Sequence, residues 1–132
     1  MNSKLLVVLA AVLMAGGMTA RAHHSFAATY DETKTVKVEG NLVQFLFRNP
    51  HSFVHIMAPD ENGQMQRWAV EWGGTGQLGG QGVTRETLRP GDVVTITGNP
   101  GRNPADHRVR MVTLRRTSDG FGWGARPGET FD

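Results

Sequence analysis

Along most of the chain apolar and polar residues alternate with a period of two, and no long stretch keeps the period of an amphipathic helix. Such alternation predicts strands with one buried face, and five are predicted. In 35–47, Val36 and Val38 alternate with Lys37 and Glu39, and Val43, Phe45 and Phe47 resume the pattern after Gly40-Asn41, where a bulge or strong bend is expected. Asn49-Pro50 breaks the ladder before a second strand over 52–58, with Val54 and Ile56 on one face. The turn Pro59-Asp60-Glu61-Asn62-Gly63 then predicts a third strand over 64–72, antiparallel to the second. A glycine-rich, aperiodic stretch over 73–81 follows. Thr84 is placed to cap a short helical turn over 85–88, which Pro90-Gly91 ends. Two further strands, 92–98 and 107–115, are separated by a loop rich in Pro, Gly and Asn.

Three strands, a short helical connection and two more strands are the order of an OB-like, five-stranded Greek-key barrel, so an all-β fold of that kind is expected. A long first strand interrupted by glycine suits it, because that strand must serve both sides of the barrel. The alternatives are another small β-sandwich or an open barrel.

Ahead of the strands stand Lys4, an apolar run over 5–14 and the small-x-small triplet Ala20-Arg21-Ala22, the form of a secretory signal peptide cleaved after Ala22. Cleavage after Ala20 fits less well. The apolar run is short for the alternative, an uncleaved membrane anchor. The chain is thus read as a signal peptide (1–22), a β domain (23–116) and a C-terminal Gly/aromatic tail (117–132) that is either flexible or pinned by Phe121, Trp123 and Phe131. The expected location is the periplasm or the exterior, with no stable membrane anchor after cleavage.

Cleavage changes the electrostatic picture. The whole chain has 14 Lys and Arg against 12 Asp and Glu, but the leader takes Lys4 and Arg21 and no acid, so the mature domain is nearly neutral. A nucleic-acid partner is therefore not expected, since counterion release needs a concentrated basic surface. Arg108, Arg110, Arg115 and Arg116 are the only local basic cluster. No cysteine is present, which excludes disulfides, thiolate chemistry and cysteine zinc sites, and leaves any metal to nitrogen and oxygen ligands.

The densest set of such ligands is the new terminus, His23-His24-Ser25-Phe26. A terminal histidine offers its amine and its ring nitrogen to one ion, and both must lose a proton first. His24 can replace the His23 ring or join it. His51, beside the Asn49-Pro50 break, is the first choice for a ligand from the folded body; the plainer reading has it bonded to a neighbouring backbone group in that turn. Glu71 is a candidate carboxylate ligand or an acceptor for an imidazole N–H; the plainer reading has it outward and paired with Arg67. His55, roughly 13 Å further along an extended strand, competes with His51 rather than supporting it. His107 is read as solvated, and Trp68, Val70 and Trp72 as core or ligand-platform residues.

Gly74-Thr75-Gly76-Gln77-Leu78-Gly79 matches the glycine pattern of a dinucleotide loop, but no crossover helix or parallel strand follows it, so no nucleotide cofactor is expected. No serine or cysteine sits in a nucleophile motif, so binding rather than enzymatic catalysis is expected.

His23-His24-Ser25-Phe26, Tyr30-Asp31, Val38-Glu39-Gly40, Asn49-Pro50-His51, Trp68-Ala69-Val70-Glu71 and Leu88-Arg89-Pro90-Gly91-Asp92, in this order, resemble a family of small exported bacterial proteins known only as a domain of unknown function. The resemblance runs from about 23 to 114 and implies export and an OB-like fold, with no activity attached. The expected function is binding of a divalent transition metal, copper first and zinc second, through His23, His24, His51 and Glu71. The alternative is a metal-free interaction module that contacts a protein, a saccharide or another small ligand through Trp68, Trp72 and the glycine loop; an envelope protein is then the candidate partner.

Overall fold

The structure, a computed structural model, describes residues 24–124; the predicted signal peptide, His23 and residues 125–132 lie outside the described residues. A short helix α1 (His24–Thr29) leads to strands β1 (Val36–Leu46), β2 (Phe53–Pro59) and β3 (Met65–Glu71). After helix α2 (Thr75–Gly80) come β4 (Val93–Pro100), β5 (Arg108–Arg116) and the two-residue β6 (Gly122–Trp123). The sheet order is β3-β2-β1-β4-β5-β6, and a parallel pairing of β3 with β5 joins the first five strands into a closed barrel. This is the expected OB-like all-β architecture, each of the five strands lying within two residues of its predicted bounds. Among the described residues no helix is long and apolar enough to cross a membrane.

β1 works on both sides of the barrel. Val36 to Asn41 pair with β4, and Asn41 to Leu46 pair with β2. Gly40 stands where the backbones crowd, for a Cβ there would collide with the Met57 carbonyl oxygen. The register irregularity itself falls between Leu42 and Gln44 rather than at Gly40. Glycine is needed for close approach, and the bulge is placed three residues further on.

Alternation sorts the strands as expected. Val54, Ile56, Ala58, Val70, Val94, Ile96 and Val109 are fully buried inside the barrel, each worth about 1.5–3 kcal/mol for the larger side chains. Trp72 is also fully buried, against Phe45 (5.8 Å between ring centroids) and edge-on to Trp123 (5.2 Å). It is core and cannot serve as part of an exposed platform.

Two connections differ from expectation. The glycine-rich stretch is not an aperiodic loop, because Leu78 buries completely and draws 75–80 into a helical turn over the barrel end. The backbone N–H of Thr75 donates to Asn49 Oδ1 at 2.9 Å. The helical connection between β3 and β4 is therefore α2, while 85–88 is a non-helical turn in which Thr84 Oγ1 accepts from the Glu86 N–H at 3.3 Å. The domain also runs past 116: Trp123 is 3% exposed and its indole N–H donates to Gln81 Oε1 at 2.8 Å. Through Gly124 the tail is pinned by its aromatics.

Candidate functional site

Glu71 ends β3 and lies directly opposite Phe53 of β2, on the outer face of the barrel. An outward carboxylate would ordinarily be solvated, yet Glu71 is only 7% exposed. Tyr30 covers it. That residue is 1% exposed and forms an isolated bridge with Gly101, while the Asp31 N–H donates to the Pro100 carbonyl at 2.9 Å. Arg102 fastens the preceding helix to the same loop, its backbone N–H reaching Thr29 O at 2.9 Å and its Nε–H reaching Ala27 O at 2.6 Å.

Each oxygen of the carboxylate is engaged. Oε1 accepts from His51 Nδ1 at 2.7 Å. Oε2 accepts a short hydrogen bond from the Tyr30 hydroxyl and a longer one, 3.4 Å, from the Arg108 guanidinium. Burial, followed by the Glu71 hydrogen bond and charge, pushes the Tyr30 phenol well above its ordinary range. A buried anion is tolerated here because three donors from three segments converge on it.

His51 is positioned from both sides. Asn49-Pro50, which is cis, turns the chain out of β1, and the Ser52 N–H then donates to Gly73 O at 3.0 Å while the Trp72 N–H returns to Ser52 O at 2.8 Å. Phe26 of α1 packs on the imidazole with ring centroids 5.1 Å apart. Arg110 lies 4.1 Å over the other ring, that of Phe26, and pairs with Glu32 at 2.8 Å. Because Glu71 accepts at Nδ1, the neutral ring carries its proton there and keeps its lone pair on Nε2.

Of the residues predicted to form a site, His51 and Glu71 are in direct contact. Glu71 takes the acceptor role; Arg67, expected beside it, instead donates to Gln44 Oε1 at 2.9 Å. His51 bonds a carboxylate and not a neighbouring backbone group. His24 is the first residue of α1, and His23 lies outside the described residues. His55 stacks on Phe53 (6.3 Å, 22°) in another part of the face. His107 is not simply solvated, for it packs edge-on against Trp68 at 5.2 Å, beside a cleft of about 390 Å³ shared with Asp31, Asp60 and Arg108. Among the described residues no group of three or more His, Asp or Glu stands ready to hold a metal.

Tyr30, Arg108 and Phe26 join the site through the fold. Tyr30 is 41 positions from its partner Glu71, and no local spacing joins them. Arg108 was visible only as a member of a basic cluster, which the fold divides between Glu71 and Glu32 on one side and Asp92 and Asp119 on the other.

The model of one protein family, a family of unknown function (DUF6152), matches residues 10–110. No curated protein and no solved structure matches the chain.

Proposed function

The chain belongs to that family of unknown function, and from its own residues we propose that it is an exported metal-binding protein whose ion, copper before zinc, is held between the mature N-terminal His23 and Nε2 of His51. The observation that carries this reading is the 2.7 Å bond from His51 Nδ1 to Glu71. A histidine that ligates a metal characteristically donates its second ring N–H to a carboxylate, which fixes the tautomer and raises the basicity of the donor nitrogen. Both oxygens of Glu71 are engaged by His51, Tyr30 and Arg108, so on this reading its part is to orient His51.

The remaining donors come from the terminus. Phe26 touches the His51 ring, and the three residues from Phe26 back to His23 span at most roughly 10 Å. On this reading the His23 amine and ring join Nε2 on the ion, with His24 as a further imidazole. Copper leads because it heads the affinity series for nitrogen donors.

Calorimetric titration of the matured protein with copper tests the reading. His51→Ala should abolish stoichiometric uptake, and Glu71→Gln should weaken it about 10- to 100-fold without changing the stoichiometry. Uptake by His51→Ala equal to that of the parent protein would remove His51 from the site.

The metal-free interaction module is a second reading, favoured by the cleft beside Trp68 and His107. Trp72 and Leu78 are buried, so that reading rests on Trp68 and on the exposed glycine-loop residues Gly76, Gln77, Gly79 and Gly80. An envelope partner captured equally well with and without metal, and lost on Trp68→Ala, would support it over the chelate.

A further inference from the structure

One strand row away from Glu71, on the same outer face, the register aligns Gln44 of β1, His55 of β2, Ala69 of β3 and Arg108 of β5. Adjacent strands lie about 4.8 Å apart, so His55 and Arg108 flank Ala69 with roughly twice that separation between their backbones. Ala69 presents only a methyl group between these two long side chains. Among the described residues three buried side-chain N or O atoms have no hydrogen-bond partner; Trp72 Nε1 is in the core, and the other two, His55 Nδ1 and Arg108 Nε, belong to this row.

The charge around this row is lopsided. Arg48 and Arg108 lie over Phe53 at 5.2 and 5.9 Å, and Phe53 in turn stacks on His55. Arg67 joins them from the neighbouring row and is held by Gln44. Arg108 pairs with Glu71, Arg110 with Glu32 and Arg116 with Asp92 and Asp119, whereas neither Arg48 nor Arg67, like Arg85, Arg89, Arg102 and Arg115, has an ion pair among the described residues. The one acid on this part of the face, Glu71, is engaged by His51, Tyr30 and Arg108. Burial, then the charges of Arg67 and Arg48, hold the His55 imidazole below its ordinary range.

A guanidinium fork matches carboxylate and phosphate oxygens two at a time, and packing on an aromatic ring removes part of the entropy lost on binding. Because Arg48 and Arg108 already cover Phe53, the site offers forks rather than a bare stacking face. We propose that Arg48, His55, Arg67 and Arg108 form an oxyanion site on the outer face of β2 and β3, which takes a small ligand bearing two or more carboxylate or phosphate groups. This inference does not depend on the metal.

Metal-free matured protein, prepared by dialysis rather than with a carboxylate chelator, is titrated calorimetrically with citrate and, separately, with pyrophosphate at fixed ionic strength. Saturable binding of either is expected, and the two arms distinguish carboxylate from phosphate. The double variant Arg48→Ala/Arg67→Ala changes exposed side chains only; it should keep the parent urea midpoint and bind at least about tenfold more weakly, as loss of two charge-assisted contacts requires. Arg115→Ala, on another face, should bind as the parent does. Failure of both ligands to saturate, or undiminished binding by the folded double variant, overturns the proposal.

Discussion

His51 and Glu71 form a closed pair: Nδ1 lies 2.7 Å from Oε1, and the Glu71 side chain is 9% exposed while the imidazole keeps 27%. The carboxylate cannot swing into water without leaving Tyr30 and Arg108, so the ring is oriented by an anion that is itself fixed on its other oxygen. A half-exposed histidine thereby acquires one tautomer, with its lone pair on Nε2.

Removing the charge of Glu71 should be felt in stability as well as in binding. Glu71→Gln leaves Arg108 without its carboxylate partner and weakens the acceptor for Tyr30 and His51, and should lower stability by about 2 kcal/mol in urea unfolding. A midpoint equal to that of the parent protein would mean that the buried pair contributes nothing to the fold.

The phenol offers a clean optical probe, because Tyr30 is the only tyrosine in the chain. Its proton is held more tightly in the folded state than in the unfolded one, by burial first and by Glu71 second. The stability this contributes is complete below the ordinary tyrosine range near pH ~10 and is lost as pH rises beyond it. Absorbance at alkaline pH should show no tyrosinate until the protein unfolds. A reversible titration near the ordinary value with the fold intact would show that Tyr30 does not reach Glu71.

Gly40 tests the barrel rather than the site. A Cβ there meets the Met57 carbonyl, an obstacle that neither backbone can avoid while β1 pairs on both sides. Gly40→Ala should cost about 3 kcal/mol or more, measured by urea unfolding. A near-neutral substitution would show that the two strands do not approach so closely.

The five strands were legible because one face of each is buried, and Val54-x-Ile56 or Val94-x-Ile96 record that burial directly in a period of two. Leu78 was not, since it buries as a single residue in a glycine-rich context that carries no period, and Trp123 was legible only as one of the aromatics able to pin the tail. His51 and Glu71 could be nominated by residue type, but their contact depends on the end of β3 meeting the turn before β2. Tyr30 and Arg108 arrive through α1 and the closing β3–β5 pairing, contacts that no local pattern encodes. Trp72 has the same alternation as a platform residue, and only the barrel's closure decides that it faces inward.

Arg116 ties the C-terminal extension to the barrel. It bonds Asp92 at 3.0 Å, Asp119 at 2.8 Å and the Thr87 carbonyl at 2.6 Å, and lies over Phe121. The guanidinium holds the Asp119 carboxyl down to about 2. That contribution is present above the ordinary carboxylate range and is lost as pH falls through the lowered value. Arg116→Ala should destabilise the protein by about 1–2 kcal/mol and expose Trp123, seen as a red shift of its emission. Unchanged emission and stability would separate β6 from this hub.

The proposed chelate requires the processed terminus to supply donors to His51. Copper uptake by protein matured to His23 should be compared with that of the same chain carrying a Gly-Ser extension before His23, each analysed by mass to establish its first residue. One equivalent bound by the matured protein, with loss of that uptake on extension, is the predicted result. Equal uptake by both forms, or none by the matured protein, would contradict the N-terminal chelate.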